Sequence, residues 1–407
     1  MWGAVKEKFV SITQLAILGG APAFEMPLHV GRPNIGDRQQ FMASVGQILD
    51  NRWLTNFGPF VGQFERELCR FLGVKHCLTV CNATIGLEIA ARALGLAGEV
   101  IVPAFTFIAT AHSLHWQGIT PVFCDIDPAT HTIDPAQVEH LITPRTTGIV
   151  GVHLWGRPCD IEALQEIAAR RKLKLLFDAA HAFGCSYRGR MIGNFGDAEV
   201  FSFHATKFFN TFEGGAIVTN DDDLARHANI IRDFGFTGYD RVVEVGTNGK
   251  MTEVCAAMGL TNLRSLDDFV RINRRNYHAY RRELDALPGF HLIHYDESER
   301  GNFQYMAVEV DAQEAGIGRD DLIKVLHAEK VLARRYFWPG CHRMEPYRTL
   351  YPDAAATLPR TEAVADRILV LPTGSAVSEE DIETVCGILR VAVANAAEVR
   401  QRITSHG

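Results

Sequence analysis

The sequence predicts an α/β protein with two parts: a large domain built on a mostly parallel sheet, then a smaller α+β C-terminal domain. Two observations carry this. Between about residues 76 and 220, short β-rich runs alternate with helical patterns. Most of these runs are apolar throughout, as strands covered on both faces are. Beyond about residue 265 the order changes to a long helix, a pair of strands and further helices, so the expected division is 1–265 and 266–407. A chain of 407 residues, 47% hydrophobic, has the material for two cores.

Taken in order, the expected strands of the large domain are "HCLTV" (76–80), "EVIVP" (99–103), "TPVFCDI" (120–126), "TGIVGVHLWG" (147–156), "KLLFD" (174–178), "EVFSFH" (199–204) and "GAIVTND" (215–221). "TIGLEIAARALGL" and "DIEALQEIAARRK" carry helical periodicity between the earlier strands. Strand, helix and strand in succession imply parallel pairing. In the second part a helix is expected over about 262–287. The strands "FHLIHY" and "FQYMAVEV", a helix near 319–330, the strand "RILVLP" and a final helix over about 378–398 follow. The basic run "RINRRNYHAYRREL" has helical spacing and reads as a solvated face.

Composition excludes several function classes. A net charge of -7 and a pI near 6.1 argue against a general nucleic-acid or anionic-membrane surface. No apolar run approaches the ~20 residues of a membrane span. The opening "MWGAVKEKFVSITQLAILGGAPAF" is broken by Gly19, Gly20 and Pro22 and makes a poor signal peptide. Nine scattered cysteines without a C-x-x-C pair suit reduced thiols in a cytosolic protein, and no metal site is expected.

Ligands of parallel α/β sheets gather at the carboxyl ends of the strands, and three features fall there. Asp178 ends "KLLFD". Lys207 follows "VFSFHAT" in apolar and aromatic surroundings, an expensive place for an ammonium. "CNAT" ends the first strand and opens a helix, so N–H groups near Ala83 and Thr84 face a possible anion. Singly these are a helix cap, a snorkelling lysine and an ordinary N-cap. Together they are the anchors for pyridoxal 5'-phosphate (PLP): an amine for the imine link, a carboxylate for the ring nitrogen and a helix N-terminus for the phosphate.

The strings "SFHATKFFNTFEGGA", "FDAAHAFG", "EVIVPAFTFIATA" and "GTNGKMTE" resemble the DegT/DnrJ/StrS family of PLP-dependent nucleotide-sugar aminotransferases, over about residues 24–395. "NATIGLEIAARALGL", "GVHLWGRPCD" and "DAAHAFGCS" look most like its TDP-4-keto-6-deoxyglucose 4-aminotransferase branch. The resemblance implies the aspartate aminotransferase-like fold (PLP fold type I), a homodimer with shared active sites, a TDP-ketosugar substrate and an amino-acid donor, glutamate. It implies that Lys207 bonds the cofactor and Asp178 faces its ring nitrogen. Phe107 would stack on the ring and His181 would lie near the ring hydroxyl. Ser202 with the backbone of Ala83 and Thr84 would hold the phosphate. Asn248 would reach that phosphate from the neighbouring subunit. Lys250, Tyr336 and His342 would meet the substrate.

Three departures stand out. Asn82-Ala83-Thr84 replaces the family's Ser-Gly-Thr turn, so left-handed geometry at its middle is less free. Phe177 replaces the usual acid before Asp178. Lys250 replaces a frequent arginine and cannot bind a diphosphate bidentately.

The freed amine of Lys207 needs a pKa of roughly 7–8 to act as a base, and Phe203, Phe208 and Phe209 are expected to push it there. Amination at C3 in the same family, and a catalytically silent regulator on the same fold, remain open as alternatives. Dehydration is disfavoured because Lys207 stands where such enzymes have histidine. A NAD(P) enzyme is disfavoured because no G-x-G-x-x-G follows the first strand.

Overall fold

The computed structural model describes residues 11–406; the first ten residues of the opening stretch lie outside the described residues. The expected apolar runs form one seven-stranded sheet. Its strands are β1 (His76–Val80), β2 (Glu99–Pro103), β3 (Thr120–Cys124), β4 (Thr146–Val152), β5 (Lys174–Asp178), β6 (Ala198–Ser202) and β7 (Gly215–Thr219). The spatial order is β1-β7-β6-β5-β4-β2-β3. Only β7 runs against the others, pairing antiparallel with β1 and β6. The carboxyl ends of β1, β2, β4, β5 and β6 therefore share one edge.

Helices cover both faces, which is why these strands read as unbroken apolar runs. Among them are α1 (Arg38–Asn51), α2 (Pro59–Leu72), α3 (Ala83–Ala93), α4 (Ala109–His115), α5 (Ile161–Arg171) and α6 (Asp222–Arg232). The sequence expectations contain no counterpart of α1 and α2. In α2 the signal was present: Val61, Phe64, Leu68 and Leu72 are buried at helical spacing.

The helix expected over 262–287 is α8 (Leu266–Leu284), and a separate, unexpected helix, α7 (Glu253–Arg264), precedes it. Ser265 leaves helical geometry between them (φ -99°, ψ 6°). Asn262 has turned its side chain inward, accepting from Gly36 N–H and donating to the Asn210 carbonyl. No glycine or proline marks the break. Glu253, wholly buried at the start of α7, accepts from the N–H groups of Phe60 and Val61 and so caps α2.

A second sheet, antiparallel and three-stranded, comprises β8 (Phe290–Leu292), β9 (Met306–Val310) and β10 (Ile368–Leu371), with β9 central. Its core joins Tyr277 and Tyr280 of α8 to Val308, Leu369 and Ile388. The last long helix, α9 (Glu379–Ala394), starts at a reciprocal Ser378–Asp381 capping box. No helix among the described residues is long and apolar enough to cross a membrane.

Candidate active site

Asn82 ends β1 in extended geometry, and its side chain accepts from Ile85 N–H at 2.9 Å. That cap leaves the N–H groups of Ala83 and Thr84, at the positive end of α3, for an outside acceptor. Ala83 is the first helical residue and has no positive φ, so the loss of the family's glycine costs nothing here. α3 lies close on the sheet because two glycines let it. A Cβ on Gly86 would meet Val200 Cγ1 at 2.9 Å, and one on Gly215 would meet Ala83 N at 3.0 Å. Gly215 pairs with Ser202, so Ser202 joins the same corner.

Asp178, at the end of β5, is buried. Thr110 Oγ1 donates to its Oδ2 at 2.8 Å, and Ala180 N–H donates to its Oδ1 at 3.1 Å. Burial raises its pKa, while these two hydrogen bonds and the nearby Lys207 oppose that. Among the described residues it has no ion-pair partner, so it fits a cation supplied from outside the chain. Phe177, in place of the usual acid, stacks on His153 at 4.5 Å. The neighbouring carboxylate, Glu199, turns away to accept from Gly193 and Phe195.

Lys207 follows β6 in a turn, its N–H donating to the His204 carbonyl. Removal from water pushes its pKa down to about 8, with Asp178 opposing. Its surroundings differ from those expected. Phe203 and Phe209 pack with Phe64 and Phe183 in the core. The ring that faces Nζ belongs to Tyr305, whose hydroxyl is 3.3 Å away. The same hydroxyl is 3.1 Å from His181 Nε2. His181 stacks near Trp155 and Phe337, and burial, then Lys207, holds its pKa well below the ordinary value. Trp155, fully buried, adopts φ 61°, a left-handed conformation costing on the order of 1 kcal/mol that aims its N–H at His181.

The remaining expected residues divide. Phe107 is 58% exposed at the rim, one turn from Thr110, and Tyr336 stacks on Phe337 beside Tyr305. His342 is buried against Phe123 with Nε2 on Glu362, while its Nδ1 has no hydrogen-bond partner among the described residues. The stretch 236–253 does not simply project from the body. Gly249 accepts from Cys81 N–H, and Asp233 bridges to Asn248, which is exposed. Lys250 is buried over Phe234, with its charge on Asp233 at 2.8 Å. The exposed tip carries Tyr239, Val242, Val243 and Val245.

Three members of the cluster, Thr110, Trp155 and Tyr305, were not anticipated. Thr110 lies within a string already singled out, but Tyr305 is 98 residues from Lys207 and nothing in the sequence joins them. The assembled groups fit pyridoxal 5'-phosphate: orphan N–H groups for a phosphate, an unpaired carboxylate for a ring nitrogen and a low-pKa amine for an aldehyde.

The model of the DegT/DnrJ/EryC1/StrS aminotransferase family matches residues 36–390. A dTDP-4-amino-4,6-dideoxy-D-glucose transaminase of Shigella dysenteriae is 37% identical over 90% of this chain and 99% of its own. GDP-perosamine synthase of Caulobacter vibrioides is 37% identical over 84% of this chain and 92% of its own. The structure of DesI, solved in the presence of its TDP-sugar product, is 48% identical, with a TM-score of 0.93 over 97% of this chain and 100% of that one.

Proposed function

The chain belongs to the DegT/DnrJ/EryC1/StrS aminotransferase family, and from that premise we propose that it moves an amino group from L-glutamate to the C4 ketone of a TDP-4-keto-6-deoxyhexose. The observation that carries this reading is the near-complete likeness, 48% identical, to a protein solved with its TDP-sugar product. The C4 position is supported by the 37% identity to a transaminase named for a 4-amino sugar.

When bound, pyridoxal 5'-phosphate supplies a carbonyl that exchanges for an amine and a ring that draws electrons from the carbon losing its proton. The chain's residues do the rest. Ala83 and Thr84 N–H groups, with Ser202, would hold the phosphate. Asp178, its carboxylate oriented by Thr110, would hold positive charge at the ring nitrogen. Phe107 would serve a ring face and His181 the ring hydroxyl. Lys207 Nζ, with a pKa of about 8, is partly neutral near physiological pH and can take and return the proton at the reacting carbon. Tyr336 belongs to the substrate side of this aromatic cluster. The site is completed by a second copy of the chain through Asn248; the exposed apolar tip residues support such a dimer. Nine free thiols support a cytosolic location.

The test loads the enzyme with cofactor, aminates it with glutamate, and offers TDP-4-keto, TDP-3-keto and GDP-4-keto sugars. NMR of the products should place nitrogen on C4 of the TDP-4-keto sugar. Amination at C3, or preference for the GDP sugar, would overturn the assignment.

A further inference from the structure

We propose that Tyr305 is the positioning residue that holds the Lys207 amine whenever that amine is not bonded to the cofactor. The inference rests on the reading of Lys207 as the reactive amine. Among the described residues the Tyr305 hydroxyl, at 3.3 Å, is the one hydrogen-bond partner of Nζ.

The direction of the His181 bond to that hydroxyl follows from what the other ring nitrogen accepts. Trp155 N–H donates to His181 Nδ1 at 3.3 Å. The neutral His181 ring therefore carries its proton on Nε2 and donates it to Tyr305 Oη at 3.1 Å. One acceptor site of the phenol is thereby used. A second acceptor site and the phenol O–H remain for Lys207. The first suits an ammonium and the second a neutral amine, so one oxygen serves both charge states of the base.

The phenol is also held in place. Tyr305 is 7% exposed and its ring is 4.5 Å from His181 and 5.4 Å, edge-on, from Trp155. Tyr295 Oη lies 2.9 Å from the carbonyl oxygens of both Trp155 and Tyr305, tying the two segments together. The titratable groups around Nζ are Asp178, His181 and Tyr305, with Tyr336 behind Tyr305. Burial keeps Tyr305 protonated, its pKa well above the ordinary phenol value.

A bond from an ammonium to the phenol oxygen is about twice as strong as a neutral one, so losing the hydroxyl should favour the neutral amine. The measurement uses cofactor-loaded enzyme pretreated with L-glutamate, in which Lys207 is free. Trace acetylation with acetic anhydride across pH, read on the Lys207 peptide by mass spectrometry, gives the titration midpoint. Tyr305→Phe keeps the packed ring and should lower that midpoint by about 0.5–1 pH unit. Its kcat should fall roughly tenfold while KM for the donor changes little. Incorporating 3-fluorotyrosine at position 305 keeps shape and hydroxyl but weakens the acceptor, and should give a smaller fall in the same direction. A midpoint that stays or rises in both variants overturns the proposal. Borohydride reduction of the loaded enzyme addresses the underlying reading separately: cofactor fixed on a peptide without Lys207 would remove the premise whatever the midpoint does.

Discussion

At the scale of single residues, Lys207 shows what a catalytic amine costs its own fold. Its pKa in the folded chain is about 8, against an ordinary 10.5. The folded state therefore binds fewer protons than the unfolded state through that window, and stability rises with pH across it. The full contribution is present above pH 10.5 and is lost as pH falls through about 8. At neutral pH the partly buried ammonium costs about 2–3 kcal/mol, allowing for its residual contact with solvent. Lys207→Met should abolish transamination yet raise the melting temperature of cofactor-free enzyme at pH 7. The gain should shrink to nothing above pH 10.5. Thermal unfolding followed against pH tests this, and equal stability at pH 7 would mean that the site does not tax its lysine.

At the scale of elements, the phosphate seat is a contact between one helix and one strand. α3 presents its first N–H groups in this position because Gly86 packs directly on the Val200, Val80 and Ile217 side chains and Gly215 brings the β7 backbone against Ala83. The Cβ of Gly215→Ala would lie 2.7 Å from the Phe201 carbonyl oxygen and 3.0 Å from Ala83 N, both backbone atoms that cannot swing aside. The helix start must shift, at a cost of about 1–3 kcal/mol. Cofactor affinity should fall at least about tenfold while the circular dichroism spectrum stays the same. Asn82→Ala should act differently, losing about 1 kcal/mol of stability through the cap. Unchanged cofactor binding in Gly215→Ala would show that the seat lies elsewhere.

At the scale of the whole molecule, the proposed dimer rests on Asn248 serving a second copy. The base of its loop is tied to its own β1 through Gly249 and Cys81, whereas residues 239–245 expose apolar side chains. If Asn248 completes the site of a second copy, two inactive variants should repair each other. Co-refolded Lys207→Ala and Asn248→Asp chains should recover up to about a quarter of wild-type activity, because half the dimers are mixed and each holds one intact site. Verified mixed dimers no better than their inactive parents would assign Asn248 to its own chain.

What the sequence determined by itself was what lies close along the chain. Strands covered on both faces must be apolar throughout, so the seven strands of the large sheet were legible. Residues at their carboxyl ends, Asp178, Lys207 and the turn at Ala83 and Thr84, were legible as candidates because parallel strands bring such ends to one edge. Tertiary structure decided everything that depends on contact across elements. Thr110 meets Asp178 across 68 residues and Tyr305 meets Lys207 across 98, and no local pattern encodes either pair. Packing likewise placed His342 against Phe123 and Glu362, contacts that no local pattern announces. The helix expected over 262–287 starts only at Leu266, after a non-helical Ser265, where Asn262 engages the Asn210 carbonyl and Gly36 N–H. Periodicity records which face of a segment is buried, but the partner that buries it is chosen only when distant segments pack.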